Sequence, residues 1–172
     1  MHYFNLLFLP SESTIMKITL LAIGKTDNKN LQVLTETYQK RLKHYVSFSF
    51  EVIPDIKNAK KLSEAQQKQL EGEEILKKIE VSDVVILLDE KGKAFSSVGF
   101  SVFLQKKMNS GLKNLVFVIG GPYGFSENVY ARANSKIALS LMTFSHQMVR
   151  LLFIEQVYRG FTILKNEPYH HK

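Results

Sequence analysis

The chain has 172 residues, 45% of them hydrophobic and 23% charged, enough for one domain with a proper core and short for two. Twenty-three Lys and Arg against sixteen Asp and Glu give a formal net charge of +7, a balance that fits a polyanionic partner such as nucleic acid and equally a solubilising surface. Cysteine is absent, which excludes a disulfide scaffold, thiolate metal sites and a cysteine nucleophile.

Residues 1–15 stand apart from the rest. Their apolar run, Tyr3 to Leu9, is closed by Pro10 and is far shorter than the ~20 residues a spanning helix needs. No basic residue precedes it, the first being Lys17, so the pattern of a secretory signal is missing. We read residues 1–15 as an extension outside the fold pattern, residues 16–172 as the domain, and the protein as cytoplasmic.

From Met16 onward strand-like and helix-like segments alternate. Lys17 to Ile23 is a β-branched run ended by Gly24, and Leu31, Leu34, Tyr38, Leu42 and Tyr45 then recur at helical spacing. Ser47 to Ile53 alternates polar and apolar residues, as a strand with one solvated face does, and Pro54 stops it. Asp55 to Lys61 reads as a basic polar loop. Ser63 caps a helix to Ile79, with Glu73–Lys77 and Glu74–Lys78 at i,i+4 spacing.

Val84 to Leu88 is a continuous apolar run, the mark of a strand covered on both faces, and a tight charged turn through Asp89 to Lys93 follows. Ser96 or Ser97 opens a helix to Asn109. Leu115 to Ile119 is a second buried run, Ser126-Glu127 opens a short helix to Asn134, and Ile137 to Met142 is a third run. The last helix spans His146 to Lys165. This alternation predicts an α/β fold, a mostly parallel sheet flanked by helices.

Ligands of open parallel sheets bind beyond the carboxyl ends of the strands. Three such ends carry chemistry: Leu88-Asp89-Glu90, Gly120 to Gly124, and Met142 to His146. In Gly120-Gly121-Pro122-Tyr123-Gly124 the paired glycines let a ligand approach the backbone, although a plain strand-to-helix turn has the same composition. The dinucleotide fingerprint and the P-loop pattern are absent, as are metalloprotease and serine-hydrolase motifs. His146 has the chemistry of an acid or base near neutral pH, or of a helix cap, and Arg150 lies one turn on. The final helix is apolar on more than one side, which favours a homodimer. Its tail, ending Pro168-Tyr169-His170-His171-Lys172, suits stacking on an RNA base as well as it suits a frayed end.

Together these segments resemble a known family. MKITLLAIGK (Met16 to Lys25), LLDEKGK (Leu87 to Lys93), VFVIGGPYG (Val116 to Gly124), and MTFSHQMVRLLFIEQVYRGF through NEPYHHK are similar to the ribosomal RNA large subunit methyltransferase H family. Its members are small SPOUT-class enzymes that N3-methylate a pseudouridine in a hairpin of large-subunit (23S) rRNA.

The resemblance covers Met16 to Lys172. It implies a C-terminal trefoil knot, a homodimer, S-adenosyl-L-methionine as cofactor, and an rRNA substrate within the large subunit or whole ribosome, with neither metal nor membrane involved. Carried over position by position, it implies cofactor contacts at Leu88, Gly120, Leu139, Ser140, Leu141, Met142, Thr143 and Phe144. His146, Arg150 and His170 are implied for catalysis, a histidine as base and an arginine stabilising negative charge, and Arg159 and Tyr169 for substrate binding. Ser145 departs from the Pro usual there, and a serine caps the helix in its place. A non-catalytic RNA-binding module is the competing class, distinguished by whether the chain binds S-adenosyl-L-methionine.

Overall fold

The computed structural model describes residues 16–171, so the extension expected at residues 1–15 lies outside the described residues. Five strands, β1 (Lys17–Ile23), β2 (Ser47–Ile53), β3 (Val84–Ala94), β4 (Asn114–Ile119) and β5 (Ser135–Ala138), form one sheet in the order β2-β1-β4-β3-β5. Every pairing is parallel, as the alternation predicted. The crossovers are α1 (Lys29–Leu42), α2 (Glu64–Leu76), α3 (Ser97–Asn109) and α4 (Glu127–Arg132), and α5 (His146–Leu164) follows β5.

Because side chains alternate along a strand, the buried runs feed two separate cores. Ile18, Leu20, Ile86, Leu115 and Phe117 pack with Leu42 of α1, Phe100 and Leu104 of α3, and Phe153, Val157 and Phe161 of α5. Leu21, Val85, Leu87, Val116 and Val118 face the other way, onto Ile75 of α2 and Val129 of α4. Helix α1 thus leaves β1 on one face while α4 leaves neighbouring β4 on the other. Such a divergence opens a crevice at the carboxyl edge of the sheet.

Several boundaries differ from the sequence expectation. Leu88 and Lys93 both pair with Ile137, so Asp89 to Gly92 form an excursion within β3, not a turn that ends it. β5 stops at Ala138, where β3, its one partner strand among the described residues, ends, and Leu139 to Ser145 continue as a loop. On α2 the expected i,i+4 pairs give way to a Lys77–Glu74 ion pair at 2.5 Å, because the helix ends at Leu76.

The apolar surplus expected on α5 is largely covered by the chain itself: Leu151, Phe153, Ile154, Val157 and Phe161 are buried. Exposed apolar surface lies in the loop before α5 instead, where Leu141 is 94% and Met142 74% accessible. Among the described residues no helix is long and apolar enough to cross a membrane.

Candidate active site

The carboxyl ends of β3 and β4, the loop after β5 and the start of α5 enclose a cavity of about 560 Å3. That is within the range of small-ligand sites, roughly 300–1,000 Å3. Leu88, Ile119, Leu139, Met142, Phe144 and Val149 supply its apolar wall. Gly120 to Gly124 supply bare backbone, with Gly124 at φ +79° as expected for a tight turn. Its polar side chains include Asp89, Glu90, Lys91, Ser140, Thr143 and His146.

Seven of the eight residues expected at the cofactor converge here: Leu88, Gly120, Leu139, Ser140, Met142, Thr143 and Phe144. Leu141, the eighth, does not line the cavity and projects into solvent. Phe125 and Tyr130 line the wall from outside every segment singled out in the sequence. Tyr130 of α4 donates to Asp89 Oδ2 at 2.6 Å, and burial with this bond pushes its phenol up to about 12. Val149 joins through the α5 turn beside His146. No sequence signal links Tyr130 to Asp89, which lies 41 positions earlier.

His146 opens α5, and Ser145 caps that helix by accepting from Met148 N at 3.3 Å. Half-buried, the imidazole is held below its ordinary pKa by burial first and by the Arg150 charge second, while Asp55 opposes both. Burial and the neighbouring charge thus favour its neutral form, the one that can accept a proton.

Arg150 is fully buried, and its guanidinium turns away from the cavity. It donates to Ile23 O at 2.6 Å and to Thr26 Oγ1 at 2.9 Å, tying α5 to the end of β1. Geometry makes it a positioning residue. Arg150→Met is expected to cost about 2 kcal/mol in urea unfolding, since it strands a buried carbonyl. An unchanged midpoint would remove the anchoring role.

Arg159 and Tyr169 lie elsewhere. Arg159 is thirteen residues beyond His146, which at the helical rise is about 20 Å along α5. There it pairs with Glu155 at 2.5 Å and stands 4.7 Å from the Tyr169 ring centroid. The Tyr169 hydroxyl is 3.0 Å from both Tyr38 Oη and Glu155 Oε1. Burial, then these two bonds, hold that phenol protonated well above its usual range. His170 follows, part-buried, at the same end. Within one chain, the residues expected around the reaction thus fall into two groups at opposite ends of α5.

Among the described residues no group of three or more His, Asp and Glu is arranged to hold a metal ion. A cavity walled by glycine backbone beyond the carboxyl ends of parallel strands is where ligands of such sheets bind, and here Asp89, Glu90 and Lys91 bring charge of both signs to its wall.

Comparison with known proteins narrows the class. Residues 16–170 match the family model described as "Predicted SPOUT methyltransferase". Proteins named Ribosomal RNA large subunit methyltransferase H are 70% identical in Flavobacterium johnsoniae, 65% in Christiangramia forsetii and 54% in Bacteroides thetaiotaomicron. Each alignment covers 157 residues, 91% of this chain and 100% of the relative.

The chain is a SPOUT methyltransferase. Within that class it belongs to the ribosomal RNA large subunit methyltransferase H family.

Proposed function

We propose that the protein transfers a methyl group from S-adenosyl-L-methionine to N3 of a pseudouridine in a 23S rRNA hairpin, on the large subunit or the assembled ribosome. The observation that carries this reading is the cavity itself, in which seven positions implied by the family meet the side chain of His146. Leu88, Leu139 and Phe144 offer apolar contact to an adenine, Gly120 and Gly121 offer backbone, and Asp89 and Glu90 offset positive charge. Leu141 lies within the loop that walls the cavity, and we read its contact to the cofactor as made through the backbone. When bound, the cofactor supplies an electrophilic methyl group on a sulfonium.

His146 takes the N3 proton as base, which leaves the N3 electron pair free for the methyl carbon. Arg150 fixes the start of α5 from behind. Arg159, Tyr169 and His170 contribute to RNA binding or catalysis across a homodimer, because their distance from His146 within one chain requires a second copy. The exposed Tyr123, Leu141, Met142, Phe144 and Met148 support an interface beside the cavity. On this reading residues 16–172 form one domain, residues 139–145 belong to the family's trefoil knot, residues 1–15 lie outside the fold, and the enzyme works in the cytoplasm.

Calorimetric titration with S-adenosyl-L-methionine is expected to give one site per chain; no heat would favour a non-catalytic RNA-binding module. Mass spectrometry of rRNA from a deletion strain is expected to lose one methyl on pseudouridine. Mixing His146→Ala with His170→Ala protein tests the shared site. Exchange of subunits is expected to restore turnover that neither variant has alone, and mixtures as inactive as the parents would remove the two-copy site.

A further inference from the structure

The loop between β2 and α2 stands out on this edge of the sheet. β2 ends at Ile53, which pairs with Ile23 of β1, so the loop leaves from the same carboxyl edge as the cavity. Its first residues stay close to the site. Asp55 Oδ1 lies 2.6 Å from where a Cβ on Gly24 would stand. The Asp55 charge also reaches His146 in the cavity wall and Glu71 behind the glycine loop. Beyond it, Lys57, Lys60 and Lys61 are exposed, with no acidic residue between Asp55 and Glu64. The segment is a compact turn: Asn58 adopts φ 58°, Lys61 N donates to Asn58 O and Leu62 N to Ala59 O.

The structure gives these lysines no internal task. Among the described residues neither ion pair includes them. Elsewhere Lys40, Lys106 and Lys107 occupy the last turns of α1 and α3, at the amino edge, where they complement the negative helix end. Lys60 and Lys61 sit at the end of the short 3-10 turn Ala59–Lys61 and Lys57 precedes it, on the stretch that leads into α2. With no carboxylate paired to them among the described residues, they leave positive charge on a loop that departs from the same carboxyl edge of the sheet.

We propose that the loop from Ile56 to Leu62 is a phosphate-contacting arm, in which Lys57, Lys60 and Lys61 hold the sugar-phosphate backbone of the RNA whose base enters the cavity. The proposal rests on the rRNA-methylating function above and adds to it the surface that grips the substrate. Point charges on flexible stems suit this role, since backbone contacts position the RNA without reading its sequence.

The test is association of the full chain with large ribosomal subunits and with assembled ribosomes from a strain lacking the methyl group, measured against KCl concentration. Each phosphate neutralised contributes about 0.7 to the slope of log K against log salt for single strands, so the Lys57→Ala/Lys60→Ala/Lys61→Ala variant is expected to lose about 2 from that slope. At ~0.1 M salt its affinity is expected to fall by about 10²-fold. Its calorimetric S-adenosyl-L-methionine titration is expected to match the wild type. The Lys106→Ala/Lys113→Ala pair, at the opposite edge, is expected to leave the slope nearly unchanged.

A slope equal to that of the wild type, or an equal effect from the control pair, overturns the arm. So does a fall in affinity at constant slope, which would point to a contact with ribosomal protein. If the wild type shows no salt-dependent association at all, the rRNA function falls and the arm with it. If the wild type associates and methylates while the triple variant keeps its slope, the arm alone falls.

Discussion

Replacing His146 by Ala is expected to lower kcat by about 100-fold or more, the range commanded by general-base catalysis, while S-adenosyl-L-methionine binds within about threefold of the wild type. The pH dependence tests the same role more sharply. A protonated imidazole has no lone pair with which to take the N3 proton, so the rate falls as pH drops through the histidine pKa. Burial and the Arg150 charge lower that pKa from 6.5, so the acid limb is expected below pH 6.5. Asp55 acts in the opposite direction, and Asp55→Asn is expected to move the limb to still lower pH. A loss confined to cofactor affinity would make His146 a binding residue. An acid limb that persists unchanged in His146→Gln would assign the base elsewhere.

Gly121→Ala is expected to destabilise the protein by about 3 kcal/mol and to abolish cofactor binding, because the position has no room for a side chain. A Cβ there would lie 2.0 Å from Glu71 Oε2 and 2.5 Å from Glu71 Cδ. Glu71 has nowhere to retreat: it is 2% exposed on α2, and its Oε1 accepts from Gln67 Nε2 at 2.8 Å. Its Oε2 is buried without a hydrogen-bond partner, and burial raises the pKa of the carboxyl. Thermal unfolding should show the loss in Gly121→Ala and substantial recovery in Gly121→Ala/Glu71→Ala. If the double variant is no more stable than the single, the clash with Glu71 is not the reason for glycine here.

These two predictions differ in how much of their basis was legible in the chain. Val84 to Leu88 and Leu115 to Ile119 announced strands covered on both faces, and the alternation of elements announced the parallel sheet. A run of apolar residues and a helical repeat are local signals, set by the periodicity of the backbone. The ends of those two runs carry Asp89 and Gly120, and His146 follows the third run, so the general location of the site was readable as well. The family resemblance narrowed this to positions, and all but Leu141 of those expected at the cofactor line the cavity.

Other features depended on partners far apart in sequence. Arg150 stands one turn from His146, and spacing alone suggests that both meet one ligand. Instead its guanidinium reaches Ile23 and Thr26, 127 and 124 positions away. The strand expected from Ile137 to Met142 ends at Ala138 because strand length is settled by the neighbour, and β3 offers no further partner. The greasy face of α5 implied a partner subunit, but α1, α3 and the sheet cover most of it.

By itself, then, the sequence determined the α/β alternation, the two-faced core and the edge at which chemistry collects, since each follows from local periodicity and from glycine and proline punctuation. Only the tertiary structure decided that Arg150 anchors a helix, that Glu71 stands behind Gly121, and that Tyr169 gathers with Arg159, several turns of α5 away from His146. Those facts are set by side chains that meet across the sheet, where the packing of distant segments and not their spacing determines what touches what.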